Sequence, residues 1–175
     1  MLKRLFIVLI LASLSGCDND SITNHKTEHK EKEIALVASE KNIPMNFDSK
    51  AMRREEVPFF SYLIKKAENQ AQYEELWRMF RFEKEMPKEN FKESTLFFIG
   101  LRESGSCPYK MEKASVQPKY DTLRFYLESP EGICTTDATP RTFVIEVPRK
   151  QAESLKTIMI VEGKTETPIS IVGNV

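Results

Sequence analysis

The side chains that could do chemistry in this 175-residue chain are three cysteines (Cys17, Cys107 and Cys134), two histidines and a large set of carboxylates. His25 and His29 are four apart, a spacing that would put both on one face of a helix. The stretch around them, Asp18 to Lys32 (DNDSITNHKTEHKEK), is polar apart from Ile22 and cannot bury enough apolar surface to fold. Two ligands on such a segment make a poor metal site. We read it as a solvated tether and expect neither a metal nor another cofactor. From Glu33 onward there is no histidine, which removes Ser–His and Cys–His catalysis and the commonest zinc ligands. No glycine-rich loop of the kind that cradles phosphate is present. A hydrolase built on paired carboxylates stays open, but Glu74 and Glu75 fall on the polar side of a predicted helix, where solvated charge is the default. Asp137, in Cys134-Thr135-Thr136-Asp137, could help bind a cation or make an Asx turn, and we take the turn. These residues point away from an enzyme.

The elements that position these groups begin at the N-terminus. Lys3 and Arg4 precede the apolar run Leu5 to Leu14 (LFIVLILASL), followed by Ser15-Gly16-Cys17 and an abrupt change to polar residues. A membrane-crossing helix needs about 20 apolar residues, so this run is too short to span and has the length of a signal-peptide core. Leu14-Ser15-Gly16-Cys17 resembles the bacterial lipobox. The resemblance implies a signal peptide over 1–16 and a diacylglyceryl group on the thiol of Cys17. Cleavage before Cys17 would free its amino group, which in such lipoproteins is often palmitoylated. Two or more acyl chains give a stable anchor where one is marginal. The expected location is the extracytoplasmic face of the cell membrane, with residues 17–32 as lipidated cysteine and tether. About fifteen polar residues span on the order of 20 Å as a coil.

The chain carries 26 basic and 26 acidic side chains; loss of 1–16 removes Lys3 and Arg4 and leaves 24 basic against 26 acidic. That balance gives no electrostatic footprint for nucleic acid. A 41% hydrophobic and 10% aromatic composition can supply a core, and the mature length suits a single globular domain over 33–163. With Cys17 lipidated, Cys107 and Cys134 are the remaining thiols of an exported protein, where disulfides persist. We expect them to pair, the alternative being two buried free thiols. Closing a loop of this length is worth roughly 3.5 kcal/mol in the chain-entropy model. The two are not in a C-x-x-C arrangement, so a structural bridge is preferred to a redox pair.

Glu33 to Ala38 (EIALVA) can form a short strand. Asp48 could cap a short helix through Arg54, ended by Val57-Pro58. Phe59 to Ala67 reads as a strand. Asn69 then looks like an N-cap with Gln72 at the capping-box position, and Tyr73, Leu76, Trp77 and Phe80 follow at helical spacing, predicting an amphipathic helix over about 70–81. Trp77 is read as core packing rather than ligand stacking. Thr95 to Leu101 (TLFFIGL) is a nearly continuous apolar run and so a central strand. Lys110 to Val116 is strand-like, with Met111 and Val116 inward. Leu123, Phe125 and Leu127 alternate, as do Phe143, Ile145 and Val147 before Pro148. Lys156 to Val161 makes a last strand, and 164–175 is a tail or edge strand around Ile169 to Val172. Turn residues separate these segments. The expected fold is α+β and mostly β: an antiparallel sheet or small sandwich with one amphipathic helix packed on it.

The order of these features is familiar. Tyr73-Glu74-Glu75-Leu76-Trp77 lies on a helix after a strand, and Pro87 and Asn90-Phe91 precede the apolar strand 95–101. Ser104-Gly105-Ser106-Cys107-Pro108-Tyr109-Lys110-Met111 opens the next strand, and Phe143-Val144-Ile145-Glu146-Val147-Pro148 closes the series. Residues 59–163 resemble the C-terminal domain of the protease complex subunit PrcB and small lipoproteins of Bacillus-like bacteria. The turn here has less glycine before its tyrosine than that family has, and the cysteine pair is a departure. The resemblance implies a non-catalytic interaction module associated with an envelope protease, and hence a membrane contact through lipid and an envelope protein partner. The other function class is a small-ligand binder with a pocket between helix 70–81 and the sheet. The loops 103–109 and 129–141, with Ser104, Tyr109, Pro130 and Asp137, are the candidate site for either.

Overall fold

The computed structural model describes residues 33–53 and 60–171. The expected signal peptide over 1–16, Cys17, the histidine pair, residues 54–59 and residues 172–175 lie outside the described residues. Among the described residues, nine strands and three short helices occur in the order β1 (Ala35–Glu40), α1 (Phe47–Lys50), β2 (Met52–Arg53), β3 (Ser61–Ala67), α2 (Gln70–Met79), β4 (Ser94–Glu103), β5 (Lys110–Gln117), β6 (Thr122–Glu128), β7 (Thr139–Pro148), α3 (Arg149–Ala152), β8 (Thr157–Glu162) and β9 (Thr165–Ser170). A 3₁₀ turn at Pro118–Tyr120 joins β5 to β6. The fold is α+β and mostly β.

The strands form a five-stranded sheet in the order β1-β7-β4-β3-β2 and a four-stranded sheet in the order β5-β6-β8-β9. Alternate residues of each strand point to opposite faces, and the inner faces of the two sheets pack on each other. Phe97, Ile99 and Leu101 of β4 and Phe143, Ile145 and Val147 of β7 meet Leu123, Phe125 and Leu127 of β6 with Ile158 and Ile160 of β8. The rings of Phe125 and Phe143 bridge the sheets at 5.5 Å between centroids. On the outer face of the first sheet, Leu63, Leu96, Phe98 and Val144 are covered by Tyr73, Leu76, Trp77 and Phe80. A strand covered on both faces has no polar side, which is why Thr95 to Leu101 reads as one apolar run. Gly100 belongs to this packing: a Cβ there would lie 3.0 Å from Cε1 of Phe80 and 3.4 Å from Cε2 of Phe47.

In the edge pair β1–β7, Ala35 lies opposite Glu146 and Glu40 opposite Thr142. One pairing departs from the antiparallel expectation: β6 and β8 are parallel, with Leu123 opposite Ile158 and Phe125 opposite Ile160. Between them the chain crosses to the other sheet as β7 and returns through α3, so it re-enters the second sheet running in the direction in which it left. Met111 and Val116 both pack against the core although they differ in parity, because a bulge between Met111 and Lys113 shifts the register by one.

Local signals account for the helix ends. Asn69 accepts a hydrogen bond on Oδ1 from the Gln72 backbone N–H at 3.0 Å, and Gln72 Oε1 accepts from the Glu68 N–H at 2.8 Å. The box is thus displaced one residue outward from the usual reciprocal pair. The helix stops at Met79, short of 81, and Arg81 turns the chain with φ 60°. Asp48 is not a helix cap. Asn46 holds that position, α1 ends at Lys50, and the Asp48 carboxylate is drawn to the Arg102 guanidinium at 2.8 Å. The segment after residue 163 is an edge strand, β9, with Ile169 in the core.

Candidate functional site

Two loops cross between the sheets at the same end of the sandwich. Residues 104–109 carry the chain from β4 to β5, and residues 129–138 carry it back from β6 to β7. Because β4 and β7 are neighbours, with Glu103 opposite Thr139, the loops emerge side by side. Their cysteines meet: Cys107 and Cys134 have Sγ atoms 2.01 Å apart and Cα atoms 5.5 Å apart, close enough to be a disulfide.

Short polar side chains complete the junction. The Thr135 backbone N–H donates to Ser106 Oγ at 2.9 Å, and the hydroxyls of Thr135 and Ser104 lie 3.0 Å apart. The Gly105 N–H donates to Asp137 Oδ1 at 3.0 Å, and the Thr135 hydroxyl donates to the same oxygen. These donors hold the Asp137 carboxyl below its usual value, the Thr135 hydroxyl contributing most and the Gly105 N–H next. Asp137 therefore spends its lone pairs tying one loop to the other. Gly105 makes room for it, since a Cβ there would fall 2.3 Å from Asp137 Oδ2. Arg102 closes the far side by donating to the Ala138 carbonyl at 2.9 Å.

Beneath the loops sits an ion pair. Glu103 has a fully buried side chain and meets Arg141 at 2.8 Å, while its second oxygen accepts the Tyr109 N–H at 2.7 Å. Period-two alternation carries the inward faces Phe97-Ile99-Leu101 and Phe143-Ile145-Val147 on to Glu103 and back to Arg141, so the pair was within reach of the sequence pattern. Deeper still, the Tyr62 hydroxyl donates to Glu162 Oε2 at 2.8 Å.

Two open grooves flank Phe60 and Tyr109 at this end. One, of about 380 Å³, runs along Arg102, Ser104 and Thr135 to Ala138. The other, of about 450 Å³, runs between Glu112, Tyr126, Glu128 and Glu162. Of the four candidate loop residues, Ser104, Tyr109 and Asp137 come together, whereas Pro130 is exposed and lines neither groove. Among the described residues, Tyr73, Trp77 and Phe80 fill the space between α2 and the sheet, with Trp77 stacked on Phe82 at 4.2 Å.

Tyr62, Tyr73 and Tyr109 all titrate above the ordinary value of 10.0. Burial is the main cause in each, followed by the Glu162 carboxylate for Tyr62 and Tyr109 and by Glu89 for Tyr73. A phenol whose pKa is raised by folding leaves stability unaffected below the unfolded value and lowers it above, because the unfolded chain then releases protons that the folded chain keeps. Urea melts should show constant stability from roughly pH 7 to roughly pH 9 and a steep fall above roughly pH 10. Tyr62→Phe should shallow that fall; an unchanged alkaline slope would contradict the assignment.

Among the described residues, no group of three His, Cys, Asp or Glu side chains is placed to hold a metal ion, and no helix is long and apolar enough to cross a membrane. Comparison with family models, with curated proteins and with solved structures finds no match to this chain.

Proposed function

We propose that this protein is a lipoprotein held at the extracytoplasmic face of the membrane through lipid on Cys17, and that its folded domain is a non-catalytic protein-interaction module working with an envelope protease. The observation that carries the interaction reading is the pair of crossover loops, exposed at their tips and tied together by Cys107–Cys134, Thr135 and Asp137. A loop ordered before binding has less conformational entropy to lose on binding. The hydroxyls gathered there hydrogen-bond one another and the loop backbones, an arrangement suited to holding shape. The lipobox supports the anchor, and the resemblance of residues 59–163 to the PrcB C-terminal domain supports the protease association.

Affinity purification from membranes with the full chain, wild type and Cys134→Ser, tests this. The wild type should retain an envelope protein that the variant loses or retains poorly. Identical partners at identical yields would count against the loops. A second reading, capture of a small ligand, moves from beneath α2 to the grooves beside Phe60 and Tyr109, whose volumes fall in the range of ligand sites.

A further inference from the structure

We propose that residues 133–137 enter the active-site cleft of an endoprotease in the manner of a substrate, presenting the side chain of Thr136 to the pocket beside the scissile bond. The inference rests on the interaction reading above and names the class of partner and the point of contact.

Every residue from Ser129 to Ala138 is exposed, and Ile133 fully so. Among the described residues, no backbone–backbone hydrogen bond involves residues 129–138. The N–H groups of Ile133, Cys134 and Thr136 are therefore open to a partner. Proteins commonly capture such a chain by adding it to a sheet edge, with main-chain hydrogen bonds giving affinity and side-chain pockets giving specificity.

The segment is nevertheless held. Cys134 is fixed to Cys107, and Thr135 to Ser106 through its N–H at 2.9 Å. Asp137 is fixed to the Gly105 N–H at 3.0 Å, and Ala138 through its carbonyl to Arg102 at 2.9 Å. Thr135 and Asp137 also bond to each other across the intervening residue. Thr136 is the residue left over: its neighbours on both sides are anchored, and its own side chain makes no hydrogen bond among the described residues. A protease reads one projecting side chain in this way.

The same anchors decide between a substrate and a binder. A cut between Thr136 and Asp137 would leave each new end tied to residues 102–107, so neither could leave the cleft independently. The partner should also be concave. Within loop 129–138 Ile133 is the one large exposed apolar side chain, too little for the apolar centre of a flat protein–protein interface. A narrow projecting loop fits a cleft.

The test is inhibition of purified elastase, whose pocket takes small side chains, and of trypsin, whose pocket takes Arg or Lys. The full chain in detergent is used as wild type, Thr136→Arg and Thr136→Pro. Wild type should inhibit elastase competitively. Thr136→Arg should gain at least about 100-fold against trypsin and lose elastase, as expected when a single hot-spot side chain is exchanged. Thr136→Pro should inhibit neither. Melting temperatures of the variants, compared with wild type, verify folding. A folded Thr136→Arg protein that inhibits trypsin no better than wild type would overturn the proposal. If Thr136→Pro still captures the same membrane partner, the loop proposal falls while the interaction reading stands.

Discussion

Replacing Arg141 with Met should destabilise the folded domain by about 3–5 kcal/mol, the cost of leaving a buried charge without its partner. Glu103, with its fully buried side chain on the core face of β4, would keep only the Tyr109 N–H. Glu103→Leu combined with Arg141→Met removes both charges and should recover much of that loss, since an apolar pair of similar volume is often neutral or better in such a place. The recovery should be incomplete, because the Tyr109 N–H then lacks its acceptor, at about 1–3 kcal/mol. Urea denaturation of the single and double variants gives the coupling directly. Additive losses would show that the pair is not the unit described.

Phe98→Ala should cost a similar amount, about 3–5 kcal/mol, by a different route. The Phe98 ring has no exposed surface and lies among Phe80 at 5.2 Å, Tyr73 at 6.1 Å, Phe82 at 6.1 Å and Trp77 at 6.4 Å between centroids. Truncation loses the transfer free energy and leaves a cavity between rigid rings that cannot collapse into it. Trp77 is the single tryptophan of the chain, so its fluorescence reports this layer alone. Emission should shift to the red in the native state of Phe98→Ala, while Phe98→Leu, which keeps most of the volume, should cost under about 1.5 kcal/mol. A Phe98→Ala protein with unchanged emission and unfolding midpoint would mean that the helix layer is not held by this cluster.

What the sequence made legible follows from the range of the signal. The face Tyr73-Leu76-Trp77-Phe80 and the alternations 123–127 and 143–147 are local patterns set by one covered surface, and each appears where expected. The parallel pairing of β6 with β8 joins strands separated by all of β7, and no local pattern encodes it. Asp48 misled because a capping residue and an ion-pair partner look alike until Arg102 is brought near. In the candidate site, the cysteines and Asp137 stand out by residue type. Alternation places Glu103 and Arg141 on inward faces, but Phe60 and Glu162 look like ordinary strand residues, and only the meeting of two crossovers brings all four to one end.

The register of β1 on β7 also fixes a direction. The loops lie at the start of β7, at Thr139, whereas the chain enters the domain at Ala35, opposite Glu146. At about 3.3 Å per residue, that entry point is roughly 23 Å along the strand from the loops. A partner seated on the loops is therefore kept clear of the sheet corner at which β1 begins.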